Sequence, residues 1–228
     1  MIIGAMLVKN EAGRWLETVL KQMVKVCDRM VFLDDGSTDE TPMICSHYGH
    51  VLHSDESLWA TNEVHQRKKL WQLATEHAKD GDWILCLDAD ETILNIELLP
   101  EKIKYAEHYG IDGLGFNLYD MWSPTHYRDD VWWCAHFSEW AMCVRYDPRK
   151  EYVWCEQGLH CGRFPMNAYE ELGSTGLKLQ HWGWSRPEDR QIKYDRYMKA
   201  DPDGKFGFIE QYRSILDKSP NLRRFHDT

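Results

Sequence analysis

The sequence predicts an α/β protein, a mostly parallel sheet flanked by helices and followed by an elaborated C-terminal half. Three observations carry that expectation. Short, continuously apolar runs alternate with helical patterns through the first half of the chain. Two of those runs end in acidic, turn-forming clusters, Asp34–Asp35–Gly36–Ser37–Thr38 and Asp88–Ala89–Asp90. After Gly110 the alternation stops, and Trp, His, Tyr and Cys crowd the chain.

Ile2–Val8 is apolar at every position, as a strand buried on both faces requires. It has no basic flank before it, so it reads as a first strand and not as a secretion signal. Ala12, Trp15, Leu16, Val19, Leu20 and Met23 recur at helical spacing. Met30–Leu33 predicts a second strand. Ser37 and Glu40 stand in a capping-box relation, so a helix is expected to begin there. His50–His53 suggests a third strand, residues 62–79 a helix, and Trp83–Leu87 a fourth strand. In the second half, Gly113–Tyr119, Trp140–Tyr146 and Leu177–His181 read as strands. Arg186–Ala200 and Phe206–Leu216 read as helices.

Composition excludes several classes. The 228 residues are 43% hydrophobic and 28% charged, which fits a folded globular chain with its own core. No run approaches the length of a membrane span. Acidic residues outnumber basic ones 37 to 27, so a general nucleic-acid face is not expected. Seven cysteines, an odd number without Cys-x-x-Cys spacing, suggest reduced thiols and a cytoplasmic location.

The acidic clusters are the chemical signal. In open α/β sheets, ligands bind outside the carboxyl ends of the strands. Asp, Gly, Ser and Thr also make ordinary turns there. Asp88 and Asp90 are one residue apart after a buried strand, and such a pair can hold a hard divalent cation against a diphosphate.

Asp34–Asp35–Gly36–Ser37–Thr38–Asp39–Glu40–Thr41, then Leu87–Asp88–Ala89–Asp90–Glu91, then Leu179–Gln180–His181–Trp182–Gly183–Trp184 followed by Glu188–Asp189–Arg190 and Lys193–Tyr194, resembles the family 2 glycosyltransferases of the GT-A fold. The resemblance implies a Rossmann-like GT-A sheet and one domain over residues 1–228. Residues 1–110 would form the nucleotide-sugar half and 111–228 the acceptor side. It implies that Asp35 reads the nucleobase with support from Asp34, and that Lys9, Asn10 and Glu11 sit beside the base. Asp88 would lie near the ribose and metal, Asp90 would ligate the metal, and His181 would complete the protein ligands of Mn2+ or Mg2+. Arg67, in the basic cluster Gln66–Lys69, would contact the nucleotide. The implied reaction is inverting transfer from a nucleotide diphosphate sugar, with UDP as the expected nucleotide, to a hydroxyl on a glycan, lipid-linked sugar or protein.

A hydroxyl needs a base to take its proton. Asp130, Glu139, Glu156 and His160 are candidates, with His160 and Glu156 preferred. The His-Glu pair of many relatives is broken here, because Cys161 follows His160. Trp122, Trp132, Trp133, Trp140 and Trp154 suit either an acceptor site or a core. Two other readings stand beside this one. Asp88–Ala89–Asp90–Glu91–Thr92 also fits the nucleophile motif of haloacid-dehalogenase-like phosphatases, with Asp88 attacking and Asp90 as acid. A non-catalytic nucleotide-sugar-binding module is the other.

Overall fold

A computed structural model describes residues 1–226, the side chains of Trp59 and Ala60 excepted. The chain runs β1 (Ile2–Val8), α1 (Leu16–Met23), β2 (Arg29–Asp34), α2 (Thr41–Ser46), β3 (His50–His53), α3 (Trp59–Thr75) and β4 (Trp83–Cys86). It continues with β5 (Glu91–Ile93), α4 (Leu99–Tyr109), β6 (Gly113–Asp120), β7 (His126–Arg128), β8 (Glu139–Arg145) and β9 (Leu172–His181). Helices α5 (Pro187–Ala200) and α6 (Ile209–Ser214) and the strand β10 (Leu222–Arg224) end it.

Eight strands form one sheet in the order β3-β2-β1-β4-β8-β6-β9-β5. The pairs β3–β2, β2–β1 and β1–β4 are parallel, as is β6–β9. Only β8 and β5 run against the others in this sheet. The mostly parallel sheet expected from sequence is present, and β6, β8 and β9 extend it from the second half of the chain.

Burial on both faces explains the strand sequences. Every residue of β1 and of β4 is buried. One face packs on Leu16, Val19, Leu20 and Met23 of α1, and the other on Leu70, Leu73 and Ala74 of α3. Asp35 follows β2 and Asp88 follows β4, with β1 between them, so both clusters emerge at the same end of the sheet.

Several local expectations are corrected. The helix expected at Ser37 begins four residues later, at Thr41. Ser37 Oγ does not cap it; it accepts the N–H of Asn10 at 2.9 Å, tying the ends of β1 and β2 together. Asp39 Oδ1 accepts the Thr41 N–H at 2.9 Å instead. Helix α3 starts before residue 62 and is broken at Asn62, which has non-helical φ −156° and ψ 65°. The Phe206–Leu216 helix shortens to α6, because the main chain of residues 205–207 turns around the carboxylate of Asp201. Among the described residues no helix is long and apolar enough to cross a membrane.

Candidate functional site

A cleft of about 810 Å³ opens at the carboxyl end of the sheet. It gathers Lys9, Asn10, Glu11, Asp35, Arg67, Asp88, Asp90, His160 and His181, all singled out in the sequence. Asp34 and Glu156 are not among its lining residues.

Asp35 stands at one end, 1% exposed. Its carboxylate accepts the Ser57 hydroxyl at 2.6 Å, the Leu58 N–H at 2.8 Å and the Gln66 side-chain amide. Its charge is therefore spread over neutral donors from the chain before α3 and from α3 itself. Asp34 points into the turn, where it accepts the Ser37 N–H at 3.1 Å and lies 2.5 Å from His53 Nδ1. Asn10, at a positive φ of 52°, uses its side chain to accept the Thr38 N–H at 2.8 Å, and Lys9 is exposed.

The middle of the cleft is a lattice of charge. Arg67, buried on α3, donates to Glu63 at 3.1 Å and to Asp88 at 3.3 Å. Arg163 forks onto the buried Glu91 at 2.8 and 2.9 Å and lies 3.7 Å from the other oxygen of Asp88. Burial alone would raise the Asp88 pKa; Arg163 and Arg67 outweigh it and hold the carboxyl below its ordinary range.

Asp90 and His181 meet at the other end. His181 Nε2 is 3.6 Å from Asp90 Oδ2, and Lys193 Nζ sits 3.0 Å from Asp90 and 3.4 Å from His181. Burial would raise the Asp90 pKa, but Lys193 and His181 hold it well below its ordinary range. His181 is fixed from behind by Asp120, 2.9 Å from Nδ1, and Asp120 also accepts the Trp184 indole N–H at 3.0 Å. Burial opposes protonation of His181, yet Asp90 and Asp120 push its pKa up to about 10. Glu11 faces this end as well: burial and Asp90 push its pKa up to about 7 against Arg14, Lys193 and Arg196.

This end carries donor types that a divalent cation takes, a carboxylate and an imidazole. They converge beside Gly183, and the room that this glycine leaves is filled by Lys193 Nζ. A Cβ on Gly183 would press on Lys193 Nζ and Asp90 Oδ2 and come within 2.9 Å of His181 Nε2. Asp88 is not drawn into this group, because Arg67 and Arg163 claim its oxygens. Among the described residues no three His, Cys, Asp or Glu side chains converge as a ready ligand set.

Of the base candidates, only His160 is brought to the cleft. Glu156 is exposed and paired with Lys68 at 2.5 Å. Asp130 pairs with Arg128 at 2.6 Å, and Glu139 accepts the Ser174 hydroxyl. A second cavity of about 310 Å³ adjoins the cleft, sharing Asp88, Trp140, His160, Arg163, His181 and Tyr197 with it. Trp133 and Trp140 of the five expected tryptophans line it. Trp122 is core, packed with Trp133 and Trp184. Sequence reasoning missed the roles of Arg163 and Lys193. Lys193 lies four residues past Asp189 of the acidic start of α5, in a segment that shares the family resemblance but gives the lysine no role.

Residues 5–150 match the profile described as "Glycosyl transferase family 2". Uncharacterized protein Rv3786c of Mycobacterium tuberculosis is 26% identical over 231 residues, covering 95% of this chain and 55% of that protein. The chain thus spans about half the length of the curated relatives it matches. A TPR repeat-containing protein of Synechococcus elongatus is 38% identical over 90 residues, covering 39% of this chain and 20% of that protein. Among solved structures, TarS 1-349 of S. aureus, also solved in complex with UDP, superposes with a TM-score of 0.52 at 15% identity. That match covers 94% of this chain and 69% of TarS, and it shows the shared GT-A fold. The family match takes in well over half of the sequence, including both acidic clusters, and the protein belongs to glycosyl transferase family 2.

Proposed function

We propose that this chain transfers a sugar from a nucleotide diphosphate sugar, with UDP as the nucleotide, to an acceptor hydroxyl with inversion at the anomeric carbon. One observation carries the reading. A single cleft joins a carboxylate held by neutral donors, Asp35, to a cation-rich end built from Arg67, Arg163, Lys193, Asp90 and His181. A nucleoside diphosphate has the same asymmetry, a neutral base at one end and a charged diphosphate at the other.

In this reading the base lies beside Lys9 and Asn10, and its N–H replaces the Ser57 hydroxyl as a donor to Asp35. Asp88 faces the ribose and the first phosphate, with Arg67 and Arg163 beside it. Asp90 and His181 would hold Mn2+ or Mg2+, which when bound neutralises charge on the leaving diphosphate. The acceptor enters through the second cavity, where the exposed Trp140 offers a ring face to a sugar. A glycan, a lipid-linked sugar or a protein hydroxyl would serve. His160, at the junction of the two cavities, takes the hydroxyl proton.

Incubation with Mn2+ and a panel of sugar nucleotides tests this, with p-nitrophenyl phosphate run alongside. Release of UDP from one UDP sugar is the expected result, since water can replace the acceptor. Turnover of p-nitrophenyl phosphate that disappears in Asp88→Asn, with no nucleoside diphosphate released from any donor, would replace this reading by the phosphatase one.

A further inference from the structure

The loop carrying His160 meets the end of the chain through contacts that the reading above leaves unused. His160 has a positive φ of 56°, and its N–H donates to Glu63 Oε2 at 2.8 Å. Its ring lies nearly parallel to those of Tyr197 and Tyr212, at 19° and 26°. His160 Nε2 is 2.8 Å from the Tyr212 hydroxyl, and that hydroxyl is 3.1 Å from Asp201 Oδ2. Asp201 is 2% exposed. It also accepts the N–H groups of Lys205 at 2.7 Å and of Phe206 and Gly207 at 3.0 Å. Burial would raise its pKa, but these amides and Tyr212 hold it below the ordinary carboxylate range. Gly207 leaves the space this row needs, since a Cβ there would strike the Tyr212 hydroxyl and come within 3.1 Å of His160 Nε2.

A count of protons orients the row. The Asp201 carboxylate has only lone pairs to offer, so the proton between it and Tyr212 belongs to the tyrosine. The Tyr212 oxygen then has only lone pairs left for His160, so the proton between those two sits on Nε2. A neutral imidazole carries one ring proton, which leaves Nδ1 as an open acceptor. Among the described residues Nδ1 has no hydrogen-bond partner. We infer that Tyr212 and Asp201 are positioning residues that hold His160 as its Nε2–H tautomer and present Nδ1 to the attacking hydroxyl.

This inference rests on the functional reading above and specifies its base. The acceptor oxygen bonds to the anomeric carbon, its proton passes to Nδ1, and the carbon–oxygen bond to the diphosphate breaks with its electron pair on the diphosphate. The Nε2 proton stays in place, bound to Tyr212, while the ring becomes positive. Asp201 then stands two hydrogen bonds from the new charge. A base steadied by a third group through its other nitrogen is a recurrent solution to this problem.

The test uses the full chain, labelled for proton–nitrogen correlation spectroscopy and held above the ordinary histidine pKa range. The His160 signal is assigned by its loss in His160→Gln. The expected wild-type signal is a single Nε2–H tautomer. Tyr212→Phe removes the partner oxygen and should produce Nδ1–H or a mixture. The same variant should release UDP from the productive UDP sugar roughly 10- to 100-fold more slowly, with the donor KM unchanged. A wild-type Nδ1–H tautomer overturns the inference, as does a Tyr212→Phe protein with wild-type tautomer and rate. If His160→Gln releases UDP at the wild-type rate, His160 is not the base and the positioning role falls with it. Failure of the broader functional reading looks different, because wild-type protein would then release no UDP from any donor.

Discussion

The two ends of the cleft are built on opposite principles. Around Asp35 a single carboxylate is met by a hydroxyl, a main-chain N–H and a primary amide. Around Asp88 and Asp90 the carboxylates are met by full cations, Arg67, Arg163 and Lys193. Neutral donors are exchanged at little cost, so the first end can trade one partner for a ligand's N–H. Paired charges in a buried site are costly to separate. The second end therefore favours a ligand that arrives with charge of its own. In the proposed reaction, recognition would belong to the Asp35 end and charge neutralisation to the other.

The largest effect that would break this contrast comes from Asp90. Asp90→Ala should abolish metal-dependent UDP binding and lower transfer by about 100-fold or more, the usual scale for losing a group that stabilises developing charge. Calorimetry with UDP, with and without Mn2+, checks it, and unchanged metal dependence would erase the distinction. Gly183→Ala should come next. Its methyl enters the space now filled by Lys193 Nζ, beside Asp90 and His181, so Mn2+ dependence should fall while metal-free UDP binding is kept.

Asp35→Asn sharpens the contrast from the other side. Losing a charged acceptor costs about 1.5–3 kcal/mol, so UDP should bind about tenfold more weakly or worse. The Mn2+ dependence should be untouched. A selective loss of metal dependence in Asp35→Asn would show that the two ends are not separate.

The smallest effect concerns stability. The folded pKa of Asp201 is depressed, so its contribution is present above the ordinary aspartate range and is lost as pH falls through the folded value. Asp201→Asn should lower Tm at neutral pH, with a stability change of about 1 kcal/mol. The gap to wild type should close on acidification. A gap constant with pH would mean that the charge of Asp201 is irrelevant.

The legible parts of the molecule were those with a local pattern. Ile2–Val8 and Trp83–Cys86 are apolar throughout because both faces of the sheet are covered, and the Asp clusters follow because the turn and the site share residue types. Strands β5, β7 and β10 have three residues each, too few for any period to emerge. Helix α4 went unread because Tyr105 and Tyr109, 59% and 60% exposed, blur its apolar stripe. The capping-box reading failed at Ser37 because a tertiary partner, Asn10, claimed the hydroxyl. Arg163 carries no motif, and Lys193 stands in the resembling segment without a role; they reach the cleft because the loop before β9 and helix α5 fold back over it. Sequence reasoning brought Asp90 and His181 into one set, and the structure brings them within 3.6 Å of each other; it gave no hint that a lysine lies between them.

The order of the sheet also bears on how the protein avoids sticking to itself. An unpaired strand edge is a template for another chain. Here the sheet ends in β3, with four residues, and β5, with three. The Gln22 side chain of α1 accepts the Ile93 N–H at 3.0 Å, filling an amide that β5 would otherwise offer outward. The long, apolar strands β1 and β4 are both interior. A partner chain therefore finds at either margin only a few residues to zip onto, which guards a sheet this apolar against fibre-like growth.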